Sequence, residues 1–231
     1  EGWLHIPPYM KQSKLRKGQF FMSGFRTQLP FTAWSWNWIG LSFGLSSYIT
    51  WMAVLDPEAS VSPWILRLGL LSFETVAPAT LLVSAVTSYV IWPAMLADTG
   101  DTSGLSDTRT LLWHDANCTM ILIEICLLGG LPVIASHCST TPLLGASYLV
   151  FSWLYRDMWS PKDGSQFLYH FFDTTLGPTV TLGLLALLTV LMLFYGILCA
   201  ATSILSLLGG SLLTHCLFVL VVAGSVCRFR D

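Results

Sequence analysis

Charge is what this 231-residue chain has least of. From Thr174 to Cys227 there is no Asp, Glu, Lys or Arg. At about 1.5 Å per residue, an unbroken helix of that length would be far longer than the ~30 Å hydrocarbon core of a bilayer. The economical arrangement is two membrane-spanning helices folded back on each other, with His215 their only ionisable group apart from Tyr195 and cysteines. Charged residues make up 10% of the whole chain and hydrophobic residues 54%, against about 25% charged in an ordinary soluble domain. A soluble protein is excluded, and the length leaves room for about six spans and short connections only.

Other absences narrow the chemistry. Six cysteines contain no C-x-x-C pair, so neither zinc nor thioredoxin-type chemistry is indicated. Cys118, Cys126, Cys199 and Cys216 fall inside predicted helices, while Cys138 and Cys227 fall at opposite membrane faces, too far apart to bridge. There is no phosphate-cradling glycine loop, fixed-period repeat or low-complexity tract. No cofactor, metal or nucleic-acid partner is expected. His114 and His215 lie at different predicted depths, which argues against a haem bridged between them.

What is present reads as an all-α, polytopic transmembrane bundle. Hydropathy and turn residues place spans at about 31–55, 74–96, 111–136, 143–159, 178–200 and 203–226. A basic, polar segment, 1–30, precedes them, and a short basic tail, 227–231, follows. Asp56-Pro57 ends the first span. The stretch Pro63–Leu96 is too long for one untilted span, so it is divided into a surface piece carrying Arg67 and a span starting near Glu74. Pro78 then falls in a first helical turn, where its missing N–H is tolerated.

Six spans put both termini on one side, together with ten of the eleven Lys and Arg: Lys11, Lys14, Arg16, Lys17, Arg26, Arg109, Arg156, Lys162, Arg228 and Arg230. Only Arg67 is left opposite. By the positive-inside rule the termini face the cytosol, or the matrix or stroma of an organelle. Glu1 in place of Met fits a processed or trimmed form, and Glu1–Pro30 shows no secretory signal. Trp34, Trp36 and Trp38 read as interfacial anchors.

Ionisable groups inside a span are costly and need a reason. In the third span His114, Asn117, Ile121 and Glu124 follow i, i+3, i+7, i+10. At about 100° per residue they make one stripe roughly 80° wide, turned toward a neighbour. Thr32 opens span one, His114 opens span three, and His170 and Asp173 immediately precede span five. Odd-numbered spans run in one direction, so these four share a depth on the basic side. A hydroxyl, an imidazole and a carboxylate at common depth are the materials of a nucleophile, base and orienter. Each also has a structural reading: Thr32 and Asp173 as helix caps, His114 as an interfacial hydrogen-bonding residue, Glu124 as half of an intramembrane pair.

Three stretches carry a family resemblance. They are Phe31-Thr32-Ala33-Trp34-Ser35-Trp36 running into Gly40-Leu41-Ser42-Phe43-Gly44-Leu45; His114-x-x-Asn117 followed by Leu122-Ile123-Glu124; and Tyr169-His170-Phe171-Phe172-Asp173, then Gly177-Pro178. The chain resembles the androgen-induced-protein and rolling-stone group of polytopic membrane proteins over about Phe31 to Leu198. Some members hydrolyse esters of fatty acids with hydroxy fatty acids, using a threonine and a histidine. The resemblance implies Thr32 as nucleophile and His114 as general base. Asp173 matches an acidic position of the family pattern, and orienting the base is the role we infer for it. His170 stands where the family pattern has proline. The hydrophobic helix expected before the threonine-bearing span is replaced by the polar segment 1–30, and span six lies beyond the matching region. Two readings follow: a threonine-dependent lipid-ester hydrolase of the endoplasmic reticulum or an organellar inner membrane, or a non-catalytic accessory subunit of a larger membrane complex that binds lipids. A transporter coupled through Glu124 is a third, without the inverted repeats such folds show.

Overall fold

A computed structural model describes residues 2–5, 20–56, 58, 60–128, 131–155, 167–169, 172–207 and 211–228. His170 and the cations Lys11, Lys14, Arg16, Lys17, Arg156, Lys162 and Arg230 lie outside the described residues. The chain is mostly helical. A small antiparallel hairpin, β1 (Gly2–His5) with β2 (Phe20–Ser23), precedes the bundle, Gly2 facing Ser23 and His5 facing Phe20.

Helix α1 (Phe31–Leu55) starts after Pro30 and stops at Asp56. Helix α2 (Pro63–Val86) runs through a five-residue π turn, Thr87–Ile91, into α3 (Trp92–Thr99), which Gly100 closes in the left-handed conformation at φ +68°. Asp107 caps α4 (Thr108–Leu111) by accepting from the Arg109 N–H. A second π turn, Leu112–Ala116, joins α4 to α5 (Asn117–Cys126). Helices α6 (Thr140–Leu154), α7 (Pro178–Leu207) and α8 (Leu212–Val226) complete the set. Phe31–Leu55, Pro63–Ala97 and Pro178–Leu207 are long and apolar enough to cross a membrane, and Leu212–Val226 is a shorter apolar helix.

Side-chain contacts set the directions. Gly69 of α2 lies so close to α1 that a Cβ there would meet Ile49 Cδ1 at 3.1 Å and Leu45 Cβ at 3.8 Å. About fifteen residues separate this crossing from Thr32 in α1 and from Ser84 in α2, so those two are level in antiparallel neighbours. Ser84 Oγ donates to the His114 carbonyl, which brings the start of the α4–α5 path to the same level. Tyr148, late in α6, donates to the Leu29 carbonyl at 2.8 Å. Phe172, shortly before α7, packs on Tyr148 at 5.9 Å and brings the start of α7 to this level. Cys227, just after α8, donates to the Asp115 carbonyl, while His215 at the start of α8 bonds the Cys126 carbonyl. The successive paths α1, α2–α3, α4–α5, α6, α7 and α8 therefore alternate in direction, and α1, α4 and α7 all begin at one end, called proximal below.

Helix α2 is the hub. Half of its most apolar window is buried, against 11% for α1 and 22% for α7. It packs against α1, α5, α6, α7 and α8, and the main core gathers Phe73, Val76, Ala77 and Leu81 around Ile39, Ile121, Leu122 and Leu198. A similar close approach joins α6 to α7, where a Cβ on Gly145 would fall 2.9 Å from Leu191 Cδ1.

Several helix ends fall away from the expected span boundaries. The surface piece and the span expected from Glu74 are one continuous helical path, Pro63–Thr99, with Pro78 in its interior. Proline there cannot donate to the carbonyl of residue 74. Thr141 Oγ1, reaching from α6, donates to that carbonyl at 3.1 Å instead. A tertiary hydrogen bond thus replaces the missing helical one, which is how a proline survives mid-helix in an apolar setting. The third span, expected to reach Ser136, ends as a helix at Cys126, and Leu131–Ile134 is non-helical before a short 3-10 turn, Ala135–His137. The fifth runs on to Leu207 rather than Ala200, and the sixth helix, expected from Ser203, starts at Leu212. Thr202 and Ser203 donate to the Cys199 carbonyl at 3.0 and 2.9 Å, so their hydroxyls are satisfied within the helix and do not stop it.

Candidate functional site

The proximal end holds Thr32, His114 and Asp173, three of the residues singled out in the sequence. An aromatic layer ties α1, α6 and the segment before α7 together there. Phe31 and Trp34 meet Tyr148 edge-on at 5.1 and 5.2 Å, and Tyr169 meets Phe172 at 5.7 Å. The Tyr169 hydroxyl accepts from the Phe31 N–H at 3.2 Å, which sets this phenol beside the next residue, Thr32. Loss of surrounding water pushes the Tyr169 phenol up to about 12, against the opposing pull of the Phe31 N–H and the Thr32 hydroxyl. A neutral phenol therefore sits beside Thr32.

Asp173 is buried, and its Oδ1 accepts from the Thr175 N–H at 2.9 Å and the Thr175 hydroxyl at 2.6 Å. It caps the 3-10 turn Thr174–Leu176 that leads into α7. His114 is partly buried, with Nδ1 2.8 Å from the Thr110 carbonyl. Facing a carbonyl, Nδ1 carries the proton and Nε2 keeps its lone pair. The Thr110 carbonyl thus holds the His114 ring in place. Among the described residues no hydrogen bond joins Thr32 to His114 or Asp173 to His114. The end of the bundle is shared; direct contact between these side chains is not seen.

Asn117 and Glu124 serve the helices. Asn117 is fully buried, donates to the Trp113 carbonyl at 3.1 Å and accepts from the Cys118 N–H at 2.7 Å. Both bonds repair the place where the π turn gives way to α5, since that turn displaces the regular i→i−4 ladder. Glu124 is partly buried, 3.5 Å from Ser46 Oγ of α1.

A second polar centre lies about 15 Å from the proximal level along α2, around Glu74. Its side chain is fully buried. Oε1 accepts from the Ile134 N–H at 2.5 Å, and Oε2 pairs with His137 Nδ1 at 2.6 Å. Tyr195 of α7 donates to the Ile134 carbonyl at 2.8 Å, and Cys199, one turn later, donates to the Val133 carbonyl at 3.6 Å. Both backbone groups of Ile134 are thus held, and the non-helical segment is pinned between α2 and α7. Sequence reasoning missed this centre because Glu74 was placed at the outer end of a span. Its position inside the apolar run Pro63–Val86, as the one acidic residue there, is the signal that could have found it.

No group of three or more His, Cys, Asp or Glu suited to a metal ion occurs among the described residues. A cavity of about 370 Å³ lies between α5, α7 and α8, lined by Ile125, Leu131, Pro132, Thr202, Leu205, Ser206 and His215. Comparison with known protein families, curated proteins and solved structures finds no match to this chain. The several apolar helices are those of an integral membrane protein.

Proposed function

We propose that the chain crosses the membrane six times, with its termini on the cytosolic, matrix or stromal side, and hydrolyses lipid esters at its proximal end. The observation that carries the reading is the level shared by Thr32, Ser84 and His114, with the His114 Nε2 lone pair left as a proton acceptor. In this reaction the Thr32 hydroxyl attacks the ester carbonyl and passes its proton to Nε2. The imidazolium then protonates the departing alkoxide, and water, deprotonated by the same nitrogen, releases the acid from Thr32. A secondary hydroxyl needs such a base, being a weak nucleophile at its ordinary pKa. Thr32 must turn from Tyr169 toward His114 for the attack. The similarity to the androgen-induced-protein group, in which some members act in this way, supports the same assignment. The membrane would be the endoplasmic reticulum or an organellar inner membrane.

A fluorophosphonate probe tests this on the membrane-embedded chain. The expected result is labelling of the folded wild type that is lost in both Thr32→Ala and His114→Ala. An unlabelled, folded wild type, or labelling indifferent to Thr32→Ala, overturns the hydrolase.

The second reading is a lipid-binding, non-catalytic subunit of a larger membrane assembly. One observation favours it: Asp173 and the bonded atoms of His114 serve their own local structure, and among the described residues no hydrogen bond joins Thr32 to His114. Recovery from native membranes in fixed ratio with other integral subunits supports this reading.

A further inference from the structure

Two thiols distant in sequence meet at the proximal end. Cys118, in the first turn of α5, is fully buried, and Cys227, the residue after α8, is 7% exposed. Cys227 Sγ donates to the Asp115 carbonyl at 3.8 Å, one turn before Cys118. Helical carbonyls point toward the following turn, so the Cys227 thiol lies beside the turn of α5 that carries Cys118. Both cysteines belong to the main core.

A buried cysteine is ordinarily a small hydrophobe, but this setting differs in three ways. The two cysteines come from parts of the chain far apart in sequence and meet within one turn of α5. Charged groups flank them: the buried Asp115 carboxylate takes a hydrogen bond from the Arg228 N–H, and the Arg228 guanidinium lies over the Trp92 ring at 5.1 Å. Finally, Cys227 has left the helix, with φ −93° and ψ 146°. Its sulfur can therefore approach a partner through a backbone adjustment outside the helical ladder, as disulfide geometry demands.

We propose that Cys118 and Cys227 are a redox pair that closes to a disulfide, stapling the end of α8 to α5. The oxidant is a low-molecular-weight disulfide. Cys227, the more accessible sulfur, displaces one half of it and forms a mixed disulfide. Cys118 then attacks the Cys227 sulfur, the S–S bond of the protein forms and the second half leaves. The protein gives up two electrons and two protons, and both protons end on the two released thiols. The pair stands apart from the hydrolase reading, because neither sulfur is used in that chemistry.

The full chain in phosphatidylcholine vesicles is treated with glutathione disulfide, denatured with iodoacetamide present, and mapped by mass spectrometry without reduction. The expected result is a crosslinked peptide joining Cys118 to Cys227. Alkylation falls from six cysteines to four, and a reductant restores the original count. In Cys118→Ser the reaction stops at glutathione on Cys227, whereas Cys126→Ser leaves the crosslink unchanged. Recovery of both residues alkylated, a glutathione adduct alone in the wild type, or pairing of Cys227 with another cysteine overturns the proposal.

Discussion

The two polar centres along α2 differ in what their polar atoms are doing. Around Glu74, far from the proximal end, both carboxylate oxygens are engaged, and the surrounding hydrogen bonds lock α2, α6, α7 and Leu131–His137 together. Around Thr32 and His114 the hydrogen bonds hold backbone in place but leave an imidazole lone pair and a threonine hydroxyl able to exchange partners. The difference follows from burial. A carboxylate with no exposure survives only when it is saturated. Partly buried groups at the end of a bundle can keep unspent capacity, and chemistry requires such capacity. The deeper centre is therefore read as architecture and the proximal one as the candidate for reaction.

Breaking the deeper centre has the largest expected effect. Glu74→Ala leaves the Ile134 N–H and His137 without their acceptor, and should cost about 2–4 kcal/mol. Thermal unfolding in detergent, against Glu124→Ala as the comparison, measures it. Glu124 has one long contact at 3.5 Å, so its removal should lower the midpoint far less. Equal losses would contradict the division between a saturated and a marginal carboxylate.

A smaller effect tests the bond that accommodates Pro78. Thr141→Val removes the donor to the residue 74 carbonyl and should cost roughly 1–2 kcal/mol. Pro78→Ala restores a backbone N–H for that carbonyl, so the Thr141 substitution should cost clearly less in its presence. Strict additivity of the two substitutions would show that the hydroxyl does not stand in for the helical bond.

The smallest effect sharpens the proximal side. The Tyr169 phenol, pushed up to about 12 from an ordinary 10, stays protonated in the folded state while the unfolded chain ionises. The folded state then holds more protons, so stability is present below pH 10 and falls as pH rises from about 10 toward 12. Tyr169→Phe should remove part of that alkaline loss, at a cost near neutral pH of about 0.5–1.5 kcal/mol for the lost hydroxyl contacts. An alkaline profile unchanged in Tyr169→Phe would remove this phenol from the account.

Much of the membrane character was legible from the chain alone. Phe31–Leu55 appears as read, because an apolar run bounded by proline and Asp56-Pro57 carries its own start and stop. The common end of Thr32, His114 and Asp173 followed from counting helices, and the hydrogen-bond contacts support it. The path from Pro63 to Thr99 was not legible, since Pro78 signals a helix start and its cure comes from Thr141, far away in sequence. The early end of α5 was hidden for a related reason: the segment from Leu131 is apolar like a span, but its backbone is held by Glu74, Tyr195 and Cys199.

Local composition determined that this chain belongs in a bilayer and where most helices begin, because burial of apolar surface and turn residues act over neighbouring positions. Only the tertiary structure decided which polar groups are spent and which remain available. Hydrogen bonds satisfy whatever partner packing brings within about 3 Å, and the partners of Glu74, His114, Cys118 and Thr32 come from other helices or other turns.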